Sequence, residues 1–249
     1  MTKTLQGKVA LVTGASKGIG AAIALELASQ GAAVAVNYAS SRAGADAVVG
    51  KITAAGGKAV AIGGDLADPQ AAKAVVDQTV EALGRIDVLV NNAGVYEMLP
   101  LEAITPEHFH RQFDLNVLGL LMVTQAAARH FNDGGSVVNI SSGASTLAFP
   151  NSAVYGATKA AVDLITDVLA KELAPRKIRV NAVNPGMVVT EGVKAAGFDA
   201  GELRKQVEAI TPLGRVGEAS EIAAAVAFLA SDGASYITGE TLHVTGGLH

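Results

Sequence analysis

Short runs of branched apolar residues alternate with helix-length stretches along this chain. Lys8–Thr13 (KVALVT), Ala33–Tyr38 (AVAVNY), Lys58–Ile62, Asp87–Val90 (DVLV), Ser136–Ile140 (SVVNI), Lys177–Asn184 (KIRVNAVN) and Thr241–Val244 read as strands, being Val- and Ile-rich and bounded by turn residues. Helices are expected from the glycine-rich turn after the first strand to about Gln30, over Ser41–Ala55, and from Asp68-Pro69 to about Leu83. A long one should run from Thr105-Pro106 to about Phe131, and another through Tyr155 to about Leu173. Gly197–Ala209 reads as a broken helical segment and Glu218–Ala230 as an apolar helix. Asp68 and Thr105 are caps followed by a first-turn Pro. Repeated crossovers of one hand turn such an alternation into a doubly wound parallel sheet, here of about seven strands with helices on both faces. No composition break marks a second domain, so 1–249 is expected to form one α/β domain.

Half of the residues are apolar and 17% are charged, which suits a sheet covered on both sides. The net charge of −4 leaves no basic footprint for nucleic acid. There is no run of 18 apolar residues for a membrane span, and no apolar segment precedes the first strand. With no cysteine, disulfides and thiolate metal sites are excluded. The five histidines show no metal-binding spacing. The expectation is a cytoplasmic protein without membrane, nucleic-acid or metal partners.

In an open parallel sheet, ligands bind beyond the carboxyl ends of the strands. Gly14-Ala15-Ser16-Lys17-Gly18-Ile19-Gly20 follows the first strand and opens the first helix. Glycines there let the backbone turn tightly and approach a pyrophosphate, which the helix N-terminus attracts. The spacing is G-x-x-x-G-x-G, not the ordinary dinucleotide-binding G-x-G-x-x-G. Tyr155 and Lys159 stand four apart on one helix face. An ammonium there is expected to lower the phenol pKa from about 10, so that the phenol can exchange a proton with a reacting oxygen. Ser142, thirteen positions upstream, can hydrogen-bond that oxygen. Alone, such a Tyr–Lys spacing also describes an ordinary surface pair.

Thr13–Gly20, Asn91-Asn92-Ala93-Gly94, Ser142, Tyr155 with Lys159, and Pro185-Gly186 stand in the order found in the short-chain dehydrogenase/reductase family. The chain resembles that family over essentially its whole length. The resemblance implies a Rossmann-type fold and a catalytic tetrad of Asn116, Ser142, Tyr155 and Lys159. Tyr155 is then the acid for reduction or the base for oxidation, and Lys159 lowers its pKa and holds the nicotinamide ribose. Ser142 steadies the substrate oxygen. Asn116 breaks its helix and holds a water that links Lys159 to solvent. The neighbouring Ser141 should face the other way. By the same resemblance, Asp65, followed by Leu66, hydrogen-bonds the adenine amino group. Asn92, Ala93 and Gly94 shape the cofactor floor, with a purely structural role as the plainer reading. Pro185, Gly186, Val188 and Thr190 meet the carboxamide.

No acid follows the second strand to hold a ribose 2′-hydroxyl. Tyr38, Ser40, Ser41 and Arg42 stand there instead, and Ser40, Ser41 and Arg42, with Lys17, suit a 2′-phosphate. NADP(H) is therefore preferred, with NAD(H) possible. Pocket candidates are Ser142, Ser145, Phe149, Tyr155, Tyr96, Met187, Met98 and Val188, with a substrate lid over about 190–212. They suggest a small-molecule ketone or aldehyde, or the matching alcohol, with apolar or mildly polar substituents. The alternatives are a 3-oxoacyl-(acyl-carrier-protein) reductase, docking through Arg129 and Lys171 near the acid in Asn132-Asp133-Gly134-Gly135, a glucose-type sugar dehydrogenase, and a non-catalytic NADP-binding sensor. The glycine spacing and the end at His249 speak against a sugar-nucleotide epimerase. Family members are most often homotetramers.

Overall fold

The computed structural model describes residues 3–132, 134–190 and 201–248. Seven parallel strands form the main sheet: β1 (Val9–Val12), β2 (Ala33–Tyr38), β3 (Lys58–Gly63), β4 (Val88–Asn91), β5 (Ser136–Ile140), β6 (Arg179–Pro185) and β9 (Thr241–Val244). Their order is β3-β2-β1-β4-β5-β6-β9. The chain winds outward in one direction from β1 to β3 and in the other from β4 to β9. Where the order reverses, between β1 and β4, the crossovers diverge and leave a crevice at the strand ends.

Successive residues of each strand are divided between two cores. Ala10, Val12, Val34, Val36, Val88 and Val90 pack on one side, and Leu11, Ala35 and Leu89 on the other. That period of two, apolar on both sides, is why the runs read as continuous. Helices α1 (Gly18–Ser29), α2 (Arg42–Ala54) and α8 (Ala219–Ala230) cover the first face. The second face is covered by α3 (Pro69–Leu83), α5 (Leu120–Ala128) and α6 (Ala153–Leu173). Asp68 caps α3 by accepting from Gln70 N at 2.9 Å, and Thr105 caps α4 (Pro106–Phe113) by accepting from His108 N at 3.2 Å.

The helix that starts after Thr105 is broken at Asn116, as the resemblance implies: a π-helical turn, Asp114–Gly119, separates α4 from α5, which ends at Ala128 rather than near Phe131. Asn116 lies in that turn, and its side chain bonds to Val95 in the loop after β4 and to Thr158 on α6. One small element was absent from the sequence reading. Val188–Val189 (β7) and Gly217–Glu218 (β8) form a small parallel pair, too short for any periodicity to reveal. Between them, α7 (Glu202–Ile210) precedes α8. Of the expected lid, 191–200 lies outside the described residues.

Candidate active site

Hydrogen bonds from neighbouring strand ends hold the glycine loop in place. Thr13 Oγ1 accepts from the backbone N–H groups of Asn92 and Ala93, both at 2.9 Å, while Asn92 Nδ2 donates to the carbonyls of Thr13 (2.9 Å) and Gly14 (3.1 Å). Asn37, buried in β2, accepts from Gly14 N at 3.1 Å and donates to the carbonyls of Ile62 and Gly64. Gly14 has φ +59°, and a Cβ there would lie 2.8 Å from Ala93 Cα. At Gly20 a Cβ would meet Asn92 Nδ2 and stand 2.6 Å from the Gly14 carbonyl. Side chains are thus excluded where the loop passes closest to β4, and a cleft of about 350 Å³ remains above it.

Gly14, the run from Ser16 to Gly20, Ser40, Ser41, Asp65, Leu66, Asn92, Ala93, Gly94 and Thr190 all border this cleft. Asp65 also accepts from Ala67 N at 3.1 Å, so it shapes its own turn. Two expected residues stand apart from the wall. Tyr38 lies partly buried against the first core, its hydroxyl beneath Gly63. Arg42 begins α2 with its side chain 75% exposed, 3.4 Å from Asp46. Asn37 also borders the cleft and was missed. Its signal was a lone amide inside an apolar strand.

A second cleft, of about 230 Å³, continues from the first past Ile19, Asn92, Gly94 and Thr190. Ser142, Tyr155, Lys159, Pro185, Gly186, Met187 and Val188 line it. Tyr155 and Lys159 project from one face of α6 because they are four residues apart. Lys159 is buried, donates from Nζ to the Ile140 carbonyl at 2.9 Å, and lies 5.8 Å from the Tyr155 ring centre. Ser142 follows β5; Ser141 also borders the cleft, but its hydroxyl donates to the Lys159 carbonyl at 3.0 Å. Asn116 donates to the Val95 carbonyl (2.9 Å) and Thr158 Oγ1 (3.1 Å) and accepts from Val95 N (2.9 Å). Its Oδ1 is 3.1 Å from where a Gly94 Cβ would be, and Lys159 Nζ is 3.7 Å from the same point. Ser142, Tyr155 and Lys159 therefore line one cleft, with Asn116 packed beside Lys159 next to Gly94.

Beyond Tyr155 opens a third cavity, of about 460 Å³. Tyr96, Met98, Ser142, Phe149, Tyr155 and Met187 border it, joined by Leu147, Val207, Ile210 and Leu248. Ser145, expected here, does not border it: its hydroxyl accepts from Asn184 Nδ2 at 2.9 Å, and that amide also donates to Asp163 at 3.0 Å. A one-turn 3₁₀ helix at Gly143–Ser145 places the side chain in this internal network. Val207 and Ile210 fall within the expected lid but were not singled out, although their spacing of three puts them on one face of α7.

The family model described as enoyl-(acyl carrier protein) reductase matches residues 14–249. An uncharacterized oxidoreductase of Methylorubrum extorquens is 58% identical over 244 residues, covering 98% of both chains. Versicolorin reductase of Emericella nidulans is 42% identical over 253 residues, covering 98% of this chain and 96% of that protein. A solved short-chain dehydrogenase/reductase from Serratia marcescens superposes with a TM-score of 0.94 at 45% identity, over 98% of this chain and 99% of that one. The chain is a short-chain dehydrogenase/reductase. A solved family member from Burkholderia cenocepacia, in complex with NADP, has a TM-score of 0.92 at 40% identity, with the same coverage. This reductase accordingly uses a nicotinamide cofactor on a C=O or CH–OH group. The glycine loop, close-packed against β4 at Gly14 and Gly20, and its continuous cleft are the shape such a dinucleotide needs.

Electrostatics at the reductase's site run partly against expectation. Burial pushes the Tyr155 phenol up, the Ser142 hydroxyl bonded to it pulls down, and nearby Tyr96 pushes up again; the net direction is upward. The lowering expected from Lys159 is not among these causes. Lys159 is itself brought down from 10.5 to about 8, because burial penalises its charge while Asp163 supports it. Among the described residues no group of three or more His, Asp or Glu side chains could hold a metal ion. No helix among them is long and apolar enough to cross a membrane.

Proposed function

We propose that the protein is an NADP(H)-dependent ketone reductase with Tyr155 as its proton donor. One observation carries this reading: a partly buried phenol, beside the Ser142 hydroxyl and one helical turn from a buried lysine, stands where the cofactor cleft meets an apolar cavity. When bound, the nicotinamide supplies the hydride in reduction and takes it up in oxidation. Ser142 donates a hydrogen bond to the substrate oxygen as negative charge grows there. Tyr155, a phenol and so protonated at neutral pH, gives its proton to that oxygen, leaving a phenolate and a neutral alcohol. The Lys159 ammonium favours that phenolate and offers a donor to the ribose. Asn116 fixes the floor beside Lys159, and the π turn frees backbone carbonyls to hold the water that would return the proton from solvent.

For the cofactor, the missing acid after β2 and the positions of Lys17, Ser40 and Ser41 on the cleft support a 2′-phosphate. Arg42 reaches it by leaving Asp46; an exposed pair of this kind is worth roughly 1 kcal/mol or less, less than a phosphate offers. Asp65 binds at the adenine end, and Pro185, Gly186, Val188 and Thr190 at the carboxamide. The reading includes one domain over 1–249, a lid over about 190–212, and a cytoplasmic homotetramer, each on the family pattern. The carrier-protein alternative has less support. Within one chain Lys171 lies about 24 Å along α6 from Tyr155.

The test is initial-rate kinetics on a panel of ketones, 3-oxoesters, quinones and aldoses with NADPH and with NADH, for the native protein and Tyr155→Phe. Ketone reduction that needs Tyr155 and favours NADPH supports the reading. Undiminished turnover by Tyr155→Phe refutes the proton donor, and an NADH preference refutes the cofactor assignment.

A further inference from the structure

The third cavity also says what kind of ketone fits; the inference rests on the Tyr155 reading above. Among the described residues, the side-chain polar groups on its wall are the hydroxyls of Tyr96, Ser142 and Tyr155. These three are neighbours: Ser142 bonds to Tyr155, and the Tyr96 ring packs edge-on to Tyr155 with centres 6.3 Å apart. All the hydrogen-bonding capacity of the wall's side chains therefore sits at one end, where the carbonyl must lie. The rest of the wall is hydrocarbon and thioether, from Met98, Leu147, Phe149, Val207, Ile210 and Leu248. No lysine or arginine is among these wall residues to meet a carboxylate or phosphate. Nor is there an amide or carboxylate side chain to pair with the hydroxyls of a sugar, and a polar group buried without a partner loses its bonds to water for nothing.

The mouth has the same character. Met98 is 41% exposed, Phe149 44% and Ile210 57%. They come from three separate segments yet border one cavity, and an apolar body seated among them removes that surface from water. A volume of about 460 Å³ is in the range of cavities that enclose whole small organic molecules.

We propose that the substrate is an uncharged ketone whose carbonyl is its main polar group and which carries a bulky apolar body. Phe149 and Ile210 set this preference. Such a body lies along Met98, Leu147, Phe149 and Ile210 while the oxygen reaches Ser142 and Tyr155. Polyols and keto acids are rejected because the wall gives their extra polar groups no partner.

The test compares kcat/KM for 2-tetralone, butanone, dihydroxyacetone and pyruvate with NADPH. It also measures calorimetric binding of 2-tetralone and dihydroxyacetone to NADPH-loaded Tyr155→Phe, which reads affinity without turnover. The expected result is kcat/KM at least 100-fold higher for 2-tetralone than for dihydroxyacetone or pyruvate, and at least tenfold higher than for butanone. Ile210→Asp and, separately, Phe149→Asp should each lower the ratio of 2-tetralone to butanone tenfold or more. Unchanged circular dichroism melting shows that each variant is folded. Equal binding of 2-tetralone and dihydroxyacetone, or ratios unmoved in both variants, overturns the proposal. If 2-tetralone alone binds but no ketone is reduced, the substrate class stands and the Tyr155 reading falls.

Discussion

The two halves of the cleft are built in different ways. On the cofactor side the wall is mostly backbone, strand ends and small residues, cross-tied by Thr13, Asn37 and Asn92. On the substrate side it is mostly side chains, from the loop after β4, the loop after β5, α7 and the C-terminal segment. Directional bonds between backbone groups tolerate little displacement, whereas apolar packing can be re-formed by residues of similar volume. A cofactor shared across a family suits the first construction, and a substrate that varies suits the second. Tyr155 stands at the seam, bordering both.

This contrast can be broken experimentally, and the seam should give the largest effect. Tyr155→Phe should lower kcat for ketone reduction by about 10²–10⁴-fold, the span of general acid catalysis. Cofactor affinity, read by nicotinamide fluorescence, should stay within a few-fold; a comparable loss of affinity would make Tyr155 part of the cofactor wall instead.

On the rigid side, Gly14→Ala must hold a Cβ at positive φ, against Ala93. We expect a loss of roughly 1–3 kcal/mol in stability and at least tenfold weaker NADPH binding, by denaturant unfolding and titration. Wild-type behaviour would show that the loop is softer than its hydrogen bonds imply.

Lys159 sharpens the seam from the side of stability. Its folded pKa, about 8, lies below the unfolded value near 10.5. Between those values the unfolded chain binds more protons, so the Lys159 contribution makes stability rise with pH there. Below about pH 8 the folded chain carries a buried charge at a cost of roughly 3 kcal/mol. Lys159→Met should lose most turnover yet unfold at higher denaturant than the native chain at pH 7. That difference should shrink between pH 8 and 10.5, whereas a difference independent of pH would locate the cost elsewhere.

The smallest effect is expected at Ser145→Ala. The hydroxyl bonds inward to Asn184, so stability should fall by about 0.5–1.5 kcal/mol while kcat/KM for ketones stays within twofold. A change in substrate preference would return Ser145 to the cavity wall.

Much of this was legible in the chain itself. β2, β5 and β9 have the boundaries that their apolar runs indicate, and the caps at Asp68 and Thr105 start helices where Pro follows. Such signals act within a few residues. The misplaced residues share a different cause. Tyr38 and Ser145 were assigned by nearness to a motif, but a side chain's direction is set by the packing around it. Tyr38 packs beside Gly63, and Ser145 meets Asn184, 39 positions away. The π turn was marked only by Asn116, a poor helix former whose partners Val95 and Thr158 lie in other segments.

The sequence by itself determined the parallel sheet, the glycine loop at its first strand end, and the spacing that sets Tyr155 and Lys159 on one helix face. Each follows from periodicity or from the steric freedom of a residue type, which neighbours along the chain suffice to define. Only the tertiary structure decided the chemical state of that pair and the character of what lies beyond it. Burial raises the phenol and lowers the ammonium, and Met98, Phe149, Ile210 and Leu248 meet in one apolar cavity. Desolvation and apolar burial depend on every atom within a few ångströms, and folding draws those atoms from distant parts of the chain.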